Sequence, residues 1–171
     1  MRGAPHVGSA TRQQAVLDRI VAVAPSLPWI DGIVLVGSMA DGEADALSDI
    51  DLLVVVAEGC HDEAWRDRER LEVTGAIYRF DQRLDPSRQI GVHRWLTDDL
   101  VLVEALIGTA SSGVRLAEPW VQVHGDTAVP ARLAHRDRIR RSELGQLEPH
   151  PVEAAYDEFR ARIRAACAPE G

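Results

Sequence analysis

Residues 34–56 read VLVGSMADGEADALSDIDLLVVV. The stretch opens on an apolar run (33–36) that stops at Gly37-Ser38 and closes on DIDLLVVV (49–56). The first run predicts a short buried strand. The second is polar only at its start and then wholly apolar, which predicts a central strand. Along a strand, residues two apart point to the same face. Asp49 and Asp51 therefore stand side by side, while Ile50 and Leu52 turn to the other face, into the core. Two neighbouring carboxylates repel unless something positive lies between them. Oxygen-only ligation favours Mg²⁺ or Mn²⁺ over zinc.

Gly37 and Ser38 end the preceding strand. Glycine allows close backbone approach and unusual φ. Ser38 adds a hydroxyl at an expected helix start, where backbone N–H groups bind phosphate readily. A phosphate cradle thus precedes a pair of metal-binding carboxylates, with 10 residues between Ser38 and Asp49. A nucleoside triphosphate held with its metal needs both parts. Either motif alone is uninformative, because Gly-Ser ends many strands and Asp-x-Asp is often a solvated strand end. Their spacing between two apolar strands is what carries the reading.

On these residues the sequence resembles the nucleotidyltransferase superfamily that includes DNA polymerase beta, antibiotic nucleotidyltransferases and the minimal nucleotidyltransferases of toxin–antitoxin pairs. The shared pattern is Gly-Ser followed, about ten residues on, by Asp-x-Asp. Ala40, Gly42, Ala44 and Ser48 fit it as well; Asp41 departs from it, since many relatives carry arginine there. The resemblance implies a polymerase beta-like core and a third carboxylate on a later, adjacent strand. Glu104 in LVLVEALIG is the first choice, because a lone charge in an apolar strand is rare unless paired or on a metal. Asp81, Asp98 and Asp99 compete with it. The resemblance further implies two Mg²⁺ (or Mn²⁺) ions about 4 Å apart, bridged by Asp49 and Asp51. Glu104 would serve as ligand or general base, and an acceptor hydroxyl would attack the α-phosphate of the triphosphate. Gly37, Ser38 and Ser48 are the expected nucleotide-binding residues. Arg94 is a further candidate for a phosphate contact, since either it or His93 must share the face of Glu104.

Outward from this stretch the chain alternates in type. Thr11 is expected to cap a helix starting near Arg12, with Val16, Ile20, Val21 and Val23 as its buried stripe and Pro25 as its end. Residues 40–47 predict a brief helix or turn, 61–73 an amphipathic helix and 76–82 a strand. Residues 89–96 and 100–107, joined by Thr97-Asp98-Asp99, predict an antiparallel hairpin. A last strand is expected at 121–124 and helices at 130–144 and 152–167. The fold class is α+β: a mixed β-sheet with helices packed on one face. Residues 11–128 form the expected core and 129–171 a helical appendage. Trp95 and Trp120 read as core or interface rather than as base-stacking platforms.

The whole composition narrows the functions. The chain has 171 residues and a formal net charge of -8, from 27 acidic and 19 basic residues. All of the basic residues are arginine. That balance argues against coating duplex nucleic acid, although 132–141 (RLAHRDRIRR) is locally basic and leaves a tRNA substrate open. Cys60 and Cys167 match no zinc spacing or disulfide framework. There is no signal-peptide pattern at the start and no apolar run of membrane-spanning length, so a cytoplasmic protein is the expectation. The leading expectation is transfer of AMP to a hydroxyl of a small molecule, a cationic aminoglycoside suiting the acidic surface. The acceptor pocket would lie at a homodimer interface or among the helices of 130–167. The alternatives are a toxin–antitoxin nucleotidyltransferase that modifies a partner protein or tRNA, and a catalytically silent nucleotide-binding module.

Overall fold

The computed structural model describes residues 9–136 apart from 74, 86 and 88, together with Glu158 and Ala161. Helix α1 (Thr11–Val23) buries Gln13, Val16, Leu17 and Ile20, the spacing of one helical face. Ala10 is its N-cap, without a side-chain cap bond. Thr11 is instead the first helical residue, and its hydroxyl meets Ser9 Oγ at 2.6 Å. The helix gives way at Ala24–Ser26 to a 3-10 turn holding Pro25, which lacks the N–H that a continuing helix would need.

Strand β1 (Ile30–Val36), the one-turn helix α2 (Ser38–Asp41) and strand β2 (Ile50–Val56) follow. Helix α3 (His61–Asp67) runs into a 3-10 turn (Arg68–Leu71), and then come β3 (Tyr78–Asp85), β4 (Ile90–Leu96) and β5 (Leu102–Thr109). The hairpin between β4 and β5 is antiparallel, as its sequence predicts, but its connection is longer. Thr97 N–H donates to Val101 O, Leu100 N–H donates to Thr97 O, and Leu100 sits at φ 60. Two strands of three residues, β6 (Arg115–Ala117) and β8 (Ala134–Arg136), bracket β7 (Val121–Gly125).

The helix expected over 130–144 is corrected by the structure as far as Arg136. Pro130–Arg132 forms a 3-10 turn, and Ala134–Arg136 pairs in parallel with Arg115–Ala117. Pro130 stands at the start of that turn, and Val129 and Leu133 are buried. Tertiary burial here overrides the helical pattern of the local sequence. The remainder of that segment, including the basic residues 137–141, lies outside the described residues. Glu158 and Ala161, within the expected helix 152–167, are helical.

The main sheet has the order β3-β4-β5-β2-β1-β7. Strands β2 and β5 are parallel and the other neighbours antiparallel, so the fold is a mixed α+β sheet. One face carries Ile33, Leu35, Ile50, Leu52, Val54, Val56, Val103, Ala105 and Ile107, packed with Val16, Leu17 and Ile20 of α1 and Ala64 of α3. Trp95 is buried in the same core. On the opposite face Val34, Leu53 and Val55 are covered by Val114, Leu116, Val129 and Leu133, the layer to which the β6–β8 ribbon belongs. Helices α1 and α3 thus pack on one face. Among the described residues no helix is long and apolar enough to cross a membrane.

Candidate functional site

The face opposite the helices carries the carboxylates. In strand register, Asp51 pairs with Val36 of β1 and with Glu104 of β5. Glu104 in turn pairs with Arg94 of β4, and Arg94 with Phe80 of β3. Directly paired residues share a face, so Val36, Asp51, Glu104, Arg94 and Phe80 form one row across five strands. Asp49, two residues before Asp51, lies just ahead of β2. Further along β2 on this face, Leu53 and Val55 are buried, whereas Asp51 and Asp49 are half-buried. The ionisable pair therefore sits at the strand start, where the covering layer gives out.

Two local features shape that start. Gly37 caps α2 with φ 71 and ψ -155, a backbone conformation that favours glycine. A Cβ at Gly37 would overlap Asp51 Oδ2, so the backbone of the Gly-Ser turn lies directly against the Asp51 carboxylate. On the far side, Gln13 of α1 is buried, and its Nε2 donates to Ser48 O at 3.0 Å. Ser48 Oγ donates to Asp45 Oδ1 at 3.0 Å and accepts from Asp45 N–H at 2.9 Å. The Ser48 hydroxyl is thus occupied in the turn that leads into Asp49. Gln13 thus ties α1 to the turn before Asp49, a contact the sequence did not lead us to expect. Its signal was a polar residue on the same helical face as Val16, Leu17 and Ile20.

Glu104 is tied to its other neighbour. Its Oε2 lies 2.6 Å from Arg94 Nε, and Arg94 Cζ stands 5.5 Å from the Phe80 ring centre. Among the described residues, no three His, Cys, Asp or Glu side chains converge closely enough to hold a metal ion. Asp49 and Asp51 are the oxygen donors that suit a hard divalent cation. Glu104 is next to them in register, with its carboxylate on Arg94.

Asp81 occupies the opposite face. It pairs with His93, which pairs with Ala105, and so belongs with Leu52 under the helices. There His93, fully buried, has Nδ1 2.6 Å from Asp81 Oδ1 and Nε2 3.1 Å from Glu72 Oε1. Arg68 donates to Asp81 at 2.8 Å and also to the Trp65 carbonyl. Arg79 grips Glu72 through Nε, at 2.7 and 2.8 Å to its two oxygens. Burial, the largest single influence, pushes the Asp81 carboxyl upward. The hydrogen bonds and charges of Arg68 and His93 together outweigh it and hold Asp81 below the usual carboxylate range. The hydrogen bond to Asp81 outweighs burial at Arg68 and raises that guanidinium further. This cluster fixes β3 and β4 to the turn after α3, and with them the strand that presents Arg94. The other competing carboxylates, Asp98 and Asp99, lie exposed in the β4–β5 turn, where the Asp99 carbonyl accepts from Arg12 at 3.1 Å.

A model of the nucleotidyltransferase domain family matches residues 19–105. That span runs from α1 into β5 and takes in Gly37, Ser38, Ser48, Asp49, Asp51, Arg94 and Glu104. No curated protein matches the chain.

Proposed function

The chain belongs to the nucleotidyltransferase domain family, and we propose that it transfers AMP from ATP to a hydroxyl of a cationic small molecule, of which an aminoglycoside is the type. The observation that carries this reading is the row that sets Glu104 beside Asp51, with the Gly37 backbone against the same carboxylate. Asp49 and Asp51, joined by Glu104, would hold Mg²⁺ or Mn²⁺, two ions in all. Bound there, the cations would supply charge neutralisation for the triphosphate and its pyrophosphate leaving group. Gly37 lets the backbone approach the phosphates, and the Ser38 N–H and hydroxyl donate to them. Ser48 acts by shaping the turn before Asp49. Glu104 accepts the proton of the acceptor hydroxyl. The acceptor oxygen then bonds to the α-phosphorus as the bond to pyrophosphate breaks. Positioning and electrostatics provide most of the rate.

The net charge of -8 favours a cationic acceptor, and a homodimer interface is the proposed place for its pocket. A nucleoside triphosphate substrate puts the reaction in the cytoplasm. The experiment is pyrophosphate release from each of the four nucleoside triphosphates with Mg²⁺, in the presence of aminoglycosides and, separately, of tRNA. Aminoglycoside-dependent release with ATP supports the proposal. Release dependent only on tRNA replaces the acceptor, and release with no acceptor under any condition refutes the transfer.

A further inference from the structure

Glu104 faces two partners in its row. Asp51 is its neighbour on β2 and Arg94 its neighbour on β4, and the carboxylate is on Arg94, Oε2 to Nε 2.6 Å. The Arg94 side chain is 16% exposed and that of Glu104 38%. A short, charge-assisted bond in such a half-buried setting is stronger than a surface ion pair. Phe80 beneath the guanidinium holds it in place.

We propose that Arg94 is a clamp on Glu104, holding its carboxylate away from Asp49 and Asp51 until metal and nucleotide arrive together. This rests on reading Asp49 and Asp51 as metal ligands. When the triphosphate arrives, Arg94 turns to its phosphates and Glu104 turns to the cation beside Asp51. The Arg94–Glu104 ion pair opens as the contacts to phosphate and cation form, and these offset its loss. Metal and nucleotide then reinforce each other's binding, a reciprocal coupling. Free metal meets only the two aspartates. Before nucleotide arrives, Arg94 is therefore a positioning residue that acts on the metal site through Glu104.

The test is titration with Mn²⁺ alone, followed by electron paramagnetic resonance, on wild type, Arg94→Ala, Glu104→Gln and the double variant. Releasing the clamp gives Glu104 to the metal, so Arg94→Ala binds Mn²⁺ roughly ten-fold tighter than wild type. In the Glu104→Gln background the same substitution gives no gain. If Arg94→Ala binds no tighter, or if the gain persists with Glu104→Gln, the clamp is wrong, because the persisting gain is the general effect of removing a positive charge. Arg94→Met, which keeps an apolar stem over Phe80, takes the place of Arg94→Ala should that variant unfold. Asp49→Asn/Asp51→Asn separates the two claims. Mn²⁺ binding that survives this pair overturns the metal site itself and the clamp with it. Binding that is lost with the pair but unaffected by Arg94→Ala overturns the clamp alone.

Discussion

Asp51 and Glu104 are register partners in the parallel pairing of β2 with β5, so two carboxylates distant in the chain stand in one row on one face of the sheet. A parallel pairing needs a crossover, and here α3, β3 and β4 supply it. Because β4 returns beside β5, the crossover also delivers Arg94 to the far side of Glu104. The candidate site is therefore a property of sheet topology as much as of the Gly-Ser and Asp-x-Asp residues.

Removing the Asp51 charge should cost activity. Asp51→Asn is expected to lower kcat/KM for pyrophosphate release by roughly 10³-fold. Urea denaturation of the same variant separates loss of activity from loss of fold. A large fall in stability would show that Asp51 is structural.

Gly37→Ala combines two penalties, a φ of 71 and a Cβ that overlaps Asp51 Oδ2. Roughly 1–3 kcal/mol of destabilisation is expected from the strained backbone. Because Asp51 must move, Mn²⁺ affinity should fall as well. Chemical denaturation and metal titration of the same variant check the two effects together.

Gly91 offers the contrasting case. It sits in β4 beneath Trp65 of α3, and a Cβ there would collide with the indole ring. Overpacking of this kind costs about 1–3 kcal/mol. The cost of Gly91→Ala should shrink when Trp65→Leu makes room, a double-mutant cycle read by urea denaturation. Additive losses would show that the ring and the strand do not press on each other.

His61 supplies a pH dependence. It is buried, and burial, outweighing the raising influence of Asp62, holds its pKa below the ordinary histidine value, with Arg83 adding to the lowering. A depressed pKa in the folded state means that the unfolded chain takes up the proton first. The stabilising contribution is full above about pH 6.5 and is lost as pH falls from there through the lower folded pKa. Urea midpoints measured from pH 7.5 to pH 5 should therefore fall for wild type, and the fall should be smaller for His61→Leu. Equal slopes in the two proteins would contradict this role.

Much of this was legible in the sequence because it is local. The apolar run after Asp51, the Gly-Ser stop and the alternation around Glu104 each lie within a few residues, and the strands and hairpin follow from them. Three things were not. The ribbon of β6 and β8 joins two three-residue segments far apart in the chain, and neither has a pattern long enough to declare itself. The residues from Pro130 were expected as helix, but a 3-10 turn and the pairing of Ala134–Arg136 with β6 replace its start, with Leu133 buried between them. The partner of Glu104 was also hidden. Alternation allowed either His93 or Arg94 to share its face, and only the register of β4 with β5 chooses Arg94. The same register sends Asp81 to the helix face, a distinction that depends on a single-residue shift.

In the proposed function Asp49 and Asp51 hold a nucleoside triphosphate through a divalent cation. Calorimetric titration of ATP and of GTP, with and without Mg²⁺, on wild type and on Asp49→Asn/Asp51→Asn tests it most directly. Wild type should bind ATP only with Mg²⁺, and the double variant, still folded, should lose that binding. Mg²⁺-dependent binding retained by the double variant, or no nucleotide binding by wild type with Mg²⁺ or Mn²⁺, would contradict it.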